Sequence, residues 1–284
     1  MIRRARRRPR MAAAIVSALA VAVLALPASQ AMAARAQPAA SVAHTSSADK
    51  PTIVLVHGAF ADSSSWDGVI SRLQRDGYTV VAPPNPLVGL PYDSAYIRDF
   101  LSTISGPVVL VGHSYGGVVI TNAATGDANV KALVYVDAFI PAQGQTAGEL
   151  INAIPGTCVA APNLAAVPYP GAPSGSVEDY ITASAWPWCF ANGLSAAEAA
   201  RTEAVQRPLP SVALTQPSGV PAWKSIPSWA VVGTMDHAIP PAELLAMAKT
   251  AGAKVTKVDA GHLSMVADPD VVTRVILQAV KTAT

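Results

Sequence analysis

The stretch Gly112-His113-Ser114-Tyr115-Gly116-Gly117 constrains this 284-residue chain more than any other. The apolar, β-branched run Val108-Val109-Leu110-Val111 leads into it, and Val118-Val119-Ile120 follows. The order is strand, sharp turn, helix, with a serine at the turn. A glycine two residues to either side of the serine removes Cβ atoms that so tight a turn cannot hold. In that setting the G-x-S-x-G spacing predicts a nucleophile elbow, which lifts the Ser114 hydroxyl out of the sheet edge. The plainer reading is a glycine-rich turn with a capping serine. The apolar run on each side favours the elbow.

Strand and helix signals alternate from Pro51 onward. Strands are predicted at 52–56, 78–82, 108–111, 132–136, 229–232 and 254–258. Helices are predicted after a Ser65 cap, at 96–104, 118–124 and 241–251, and after Asp268-Pro269, with Asp as cap and Pro in the first turn. Such alternation predicts an α/β fold: a mostly parallel sheet of about six strands with helices on both faces. One segment, about 141–225, breaks the rhythm. It shows no convincing strand, a helix at 192–207, and aromatics at Tyr169, Tyr180, Trp186, Trp188 and Phe190. An insertion this long, placed after a strand's carboxyl end, reads as a helical cap over a binding site. The competing reading is an excursion that packs on its own aromatics.

The first 33 residues read as a signal peptide. Six arginines within Arg3–Arg10 precede the apolar run Met11–Leu26, and Ala31-Met32-Ala33 fits a cleavage site. The apolar run is short for a membrane span, so a retained anchor is the lesser alternative. Residues 34–50 are mostly Ala, Ser, Gln, Pro and Thr with little periodicity and read as a disordered linker. Residues 51–284 then form one domain. The chain's net charge is +2; without the six leader arginines the remainder carries about −4. No basic stripe with interleaved aromatics remains, which argues against nucleic acid as a partner. With the leader removed no membrane association is expected, and nothing in the sequence specifies an oligomeric state. The two cysteines, Cys158 and Cys189, share the cap segment. In an exported chain a structural disulfide is the preferred reading, and two buried thiols the alternative.

Serine needs a base to become a useful nucleophile. Of the five histidines, His262 lies in Asp259-Ala260-Gly261-His262-Leu263, just past the last predicted strand and at the same sheet edge as Ser114. His57 and His113 are better placed to hold loops, and His44 falls in the linker. The base needs an orienting acid. Asp236 ends Val231-Val232-Gly233-Thr234-Met235-Asp236. Asp137, which follows Val134-Tyr135-Val136, is a rival at another strand end. The chain order Ser, Asp, His favours Asp236. An oxyanion would need backbone donors. Tyr115 N–H follows the nucleophile at a helix N-terminus, and Ala59 N–H in His57-Gly58-Ala59-Phe60 is the expected second donor. Gly58 would bring that backbone close to the substrate. Phe60, Trp186 and Trp188 are the candidate substrate-binding side chains.

These motifs, in order and spacing from Pro51 to the end, resemble the α/β-hydrolase superfamily. The trimmed start, with His57-Gly58-Ala59 after the first strand, is similar to a small-esterase group that also includes the plant hydroxynitrile lyases. In the lyases a threonine stands at the position of Gly58 and a lysine follows the histidine. Gly58 and Leu263 here favour an esterase. The resemblance implies a serine hydrolase acting on carboxylic esters of small, apolar molecules, with no metal or organic cofactor, and the leader implies that it is secreted. Amidase, lactonase and haloperoxidase-like chemistry share the triad, as do relatives that only bind a small ligand.

Overall fold

The computed structural model describes residues 50–283. The predicted signal peptide and nearly all of the predicted linker lie outside these residues. Six parallel strands form the main sheet: β1 (Thr52–Val56), β2 (Val80–Val81), β3 (Val108–His113), β4 (Val130–Val136), β8 (Ser228–Gly233) and β9 (Lys254–Val258), in the order β2-β1-β3-β4-β8-β9. Every residue of β1, β3 and β8 is buried. That explains their continuous apolar runs, since a parallel sheet covered on both faces has no polar side. Helices α1 (Asp67–Arg75), α8 (Ser264–Ala267) and α9 (Pro269–Val280) pack together, with α9 against β3, β4 and β8. Helices α2 (Leu90–Ser102) and α3 (Tyr115–Ala123) pack on each other, and α7 (Pro241–Thr250) covers β8 and β9.

Local signals explain most element ends. Asp268 caps α9 by accepting from Val271 N–H at 3.0 Å, ahead of Pro269. Ser65 is not a cap. Asp62 caps a short 3₁₀ turn, Ser63–Trp66, and α1 follows that turn directly. The predicted second strand shrinks to Val80–Val81, the two residues in register with Ile53 and Val54 of β1.

The insertion differs from its prediction in one respect. It holds the helices α4 (Ala147–Ile151), α5 (Trp186–Cys189) and α6 (Ala196–Ala204), but also a three-stranded antiparallel sheet of β5 (Leu164–Val167), β6 (Glu178–Ile181) and β7 (Leu209–Pro210). The cap is therefore mixed rather than helical. Thr146 with Glu149, and Ser195 with Glu198, form capping boxes that start α4 and α6.

Cys158 and Cys189 are joined, with Cα atoms 5.7 Å apart. The bond ties α5 to a loop that is itself stitched to the main domain: Cys158 N–H donates to the His237 carbonyl at 2.8 Å, and Thr157 Oγ1 donates to the Ala238 carbonyl at 2.7 Å. Closing a separation of 31 residues stabilises by roughly 3–4 kcal/mol in the loop-entropy account. Reduction should therefore lower the melting temperature by about 6–12 °C in a domain of this size. Calorimetry with and without reductant checks this, and an unchanged transition would remove the bond from the stability argument.

Candidate active site

The elbow is built as the spacing predicts. Ser114 sits between β3 and α3 with φ 52° and ψ −123°, a conformation that non-glycine residues adopt only under constraint. The constraint is close packing. A Cβ on Gly116 would lie 2.6 Å from the Val56 carbonyl oxygen, so the helix start can press against β1 only as glycine. Gly58 serves the same end from the other side. A Cβ there would meet the His113 carbonyl and Ser114 Cβ, each at 2.6 Å. Gly58 thus lets its loop seat on the elbow itself, rather than only clearing space for substrate.

Three side chains from three loops meet at the sheet's carboxyl edge. His262 Nε2 is 2.9 Å from Ser114 Oγ, and His262 Nδ1 is 2.7 Å from Asp236 Oδ2. Asp236 Oδ1 accepts from the N–H groups of Ala238 and Ile239 at 2.8 and 2.9 Å. All three residues are buried. The acid and base loops are laced together, with Thr234 N–H donating to the Val258 carbonyl and Met235 N–H to the Ala260 carbonyl. Burial works against a charged His262, but the charge of Asp236, its hydrogen bond and the charge of Asp137 outweigh it. The imidazole pKa is held above its ordinary 6.5. Such a chain can pass a proton from the serine hydroxyl to a histidine whose tautomer the aspartate sets.

Asp137, the rival acid, is brought to the same place in a different role. It is fully buried at φ 45°. Its Oδ1 accepts from Gly233 N–H at 2.7 Å and its Oδ2 from Ser264 N–H at 3.1 Å. It thereby clamps the backbones of the acid and base loops rather than the imidazole. Burial, and then the neighbouring Asp236 carboxylate, push its pKa up to about 7. The histidines near the elbow also hold loops. His113 Nε2–H donates to the His262 carbonyl at 3.0 Å. His57 Nε2 accepts from Asn85 N–H at 3.0 Å while Nδ1–H donates to the Gly58 carbonyl, and burial lowers its pKa to about 4. A histidine so engaged is neutral and unavailable as a base.

The two expected oxyanion donors flank the serine. Tyr115 opens α3, and Ala59 follows the glycine packed on the elbow. Among the described residues neither N–H has an acceptor. The next residue differs, since Phe60 N–H donates to the Arg207 carbonyl at 2.8 Å. Tyr115 is fixed from its far end, where its hydroxyl donates to the buried Asp93 at 3.0 Å.

A cavity of about 110 Å³ opens onto Ser114 and His262. The main domain lines it with Ala59, Phe60, Tyr115 and Phe139, and the cap with Leu164, Phe190, Leu209 and others, almost all apolar. Phe60 is among the lining residues. Trp186 and Trp188 are not part of the lining. Trp186 is fully buried inside the cap, its Nε1–H donating to the Ala199 carbonyl at 3.0 Å. Trp188 is 49% exposed, with its carbonyl 2.7 Å from His237 Nδ1. Phe190 takes the expected place. Its ring centroid is 4.8 Å from that of His262 and 5.8 Å from that of Phe60, and Trp186 backs it at 4.9 Å. Trp186→Ala should accordingly cost about 3–5 kcal/mol of stability, and Trp188→Ala about 1 kcal/mol or less. Denaturant unfolding of the two variants tests this ranking, and equal losses would overturn it.

Comparison with known proteins identifies the family and the fold. A model of the alpha/beta hydrolase family matches residues 53–275. The chain therefore belongs to the α/β-hydrolase family. An α/β-hydrolase of Aspergillus novofumigatus is 27% identical over 252 residues, covering 81% of this chain and 96% of that one. A carbendazim-hydrolysing esterase of a Nocardioides species is 37% identical over 106 residues, 33% of this chain and 44% of that protein. The match thus spans less than half the length of that relative. Among solved structures, polyneuridine aldehyde esterase has a TM-score of 0.69 at 18% identity, covering 81% of this chain and 98% of that one. An extracellular α/β-hydrolase from a Paenibacillus species has a TM-score of 0.64 at 22% identity, covering 81% and 99%. At these identities the structures establish the shared fold.

Proposed function

We propose that this protein is a secreted serine hydrolase that cleaves carboxylic esters of small, apolar molecules. The observation that carries the reading is the unbroken contact from Ser114 Oγ through His262 to Asp236, at 2.9 and 2.7 Å. Ser114 attacks the ester carbonyl as His262 Nε2 takes its proton. Asp236 keeps Nδ1 protonated and stabilises the imidazolium that forms. The N–H groups of Ala59 and Tyr115 receive the oxyanion, the second with help from the α3 dipole. His262 then protonates the leaving alkoxide, and water releases the acyl group by the reverse of the same steps. The residues at hand account for this chemistry without a metal or organic cofactor.

Ester hydrolysis is supported by the relatives, which include the carbendazim-hydrolysing esterase and a pyrethroid hydrolase of Sphingobium wenxiniae. Secretion is supported by the leader pattern, by the Cys158–Cys189 bond, and by the extracellular Paenibacillus structure. The narrow apolar cavity favours small groups at the reacting carbon. A panel of p-nitrophenyl esters of rising acyl length tests the reading. Turnover should be greatest for short chains and fall tens-fold or more for long ones, at about 1–3 kcal/mol per methylene in a fitted pocket. A protein that a serine-reactive probe labels, but that turns over no ester, would instead be a ligand-binding member of the family.

A further inference from the structure

The cap sheet presents one face to the cavity. Directly paired residues of an antiparallel sheet share a face. Leu164 pairs with Ile181, and Asp179 pairs with both Ala166 and Leu209. Leu164, Asp179 and Leu209 line the cavity that reaches Ser114, and Ile181 is buried beside them. Asp179 is the exception on this apolar face. It lies on the central strand β6, so it cannot be explained as a charge that protects a sheet edge. Among the described residues its carboxylate accepts no hydrogen bond and meets no cation, and burial alone raises its pKa. A carboxylate set partly into an apolar wall, with no protein partner, is free to take a cationic group from a ligand. The other polar side chain of the cap lining is the exposed, neutral Asn152. One of its two amide N–H donors goes to the Gly148 carbonyl at 2.8 Å, and the other and the oxygen are unengaged among the described residues. Among the described residues Asp179 is therefore the one charged side chain on the cap side of the cavity.

We propose that Asp179 is a specificity-determining residue that pairs with an ammonium group on the substrate, so that the site selects small esters with an apolar body and a basic nitrogen away from the ester. This rests on the reading of the site as an ester hydrolase. A cation gains most at such a carboxylate, because a charge-assisted hydrogen bond in a partly dry wall is stronger than a neutral one.

The test uses isosteric pairs. One varies the alcohol side, 4-(aminomethyl)phenyl acetate against 4-ethylphenyl acetate. The other varies the acyl side, methyl 4-(aminomethyl)benzoate against methyl 4-ethylbenzoate. In the wild type kcat/KM should favour the amine by about tenfold or more on one side of the ester. In Asp179→Asn and Asp179→Leu that ratio should fall below one. Asp179→Leu should also melt higher than wild type, because it completes the apolar face, and its folding keeps the test open if the asparagine variant is unstable. A wild type that prefers the ethyl esters on both sides, or an amine preference that survives both substitutions, overturns the proposal. Calorimetric binding of benzylammonium against benzyl alcohol and toluene needs no turnover. Absent hydrolysis with Asp179-dependent benzylammonium binding would sink the hydrolase reading while the role of Asp179 stands. Equal binding of the alcohol and the ammonium would sink the cation assignment.

Discussion

Ser114→Ala should lower kcat for ester hydrolysis by about three to six orders of magnitude while leaving a folded protein. The hydroxyl's one hydrogen bond among the described residues is to His262 Nε2, so its loss removes the nucleophile and little else. Alanine keeps the Cβ, and the positive φ at 114 is as tolerable for alanine as for serine. The packing of Gly58 and Gly116 on the elbow does not involve Oγ. Stability should therefore change by about 1 kcal/mol or less, the net value of a single hydrogen bond. The residual rate should still exceed that of free solution, because Ala59 and Tyr115 N–H remain in place to polarise a bound ester. Rate measurements on the purified variant, with circular dichroism to show folding, decide the matter. Near-wild-type turnover would remove Ser114 from the mechanism.

The main sheet and the triad positions were legible because each carries a local signature. β3 and β4 are β-branched runs, and the chain order of Ser114, Asp236 and His262 restricts which loops can meet. The cap sheet had no such signature. β5 reads Leu-Ala-Ala-Val and β6 Glu-Asp-Tyr-Ile, neither alternating clearly nor rich in strand formers, and β7 is two residues ending in proline. Their pairing is imposed by position rather than propensity. Without β6 there was no way to see that Asp179 points with Leu209 into the cavity. The misplaced tryptophans had a signal that could have been used. Trp186 and Phe190 stand four apart and share a helical face, whereas Trp188 lies on the opposite side. Spacing alone would have put Trp188 outside if Trp186 and Phe190 were inside. The loop-holding bond from His113 to the His262 carbonyl joins residues 149 apart, and no sequence pattern announces it.

Asp236→Asn should cut kcat by about 10⁴, and Asp137→Asn much less, although both carboxylates are buried beside His262. The difference lies in what each oxygen accepts. Asp236 Oδ1 takes two backbone N–H groups, so an asparagine keeps its oxygen there and turns its NH₂ toward His262 Nδ1. The imidazole must then carry its proton on Nε2, where it cannot receive one from Ser114. Asp137 accepts only from the backbone of Gly233 and Ser264. An amide there sets an NH₂ against one of the two N–H donors and loses that bond, at about 1–3 kcal/mol of stability, without dictating the histidine tautomer. It also removes a carboxyl, its own pKa pushed up to about 7, whose ionised form helps hold His262 above 6.5. The direction of the pH effect follows. His262 must be neutral to act as base, so kcat/KM rises as pH passes upward through its pKa, and wild type should show that limb above 6.5. Asp137, with its pKa pushed up to about 7, is only partly ionised across that limb, so its loss moves the limb only slightly to lower pH. A purely structural defect would depress the whole profile without moving it. If Asp137→Asn proves the more damaging change at the plateau, the acid sits after β4 and Asp236 only shapes its loop.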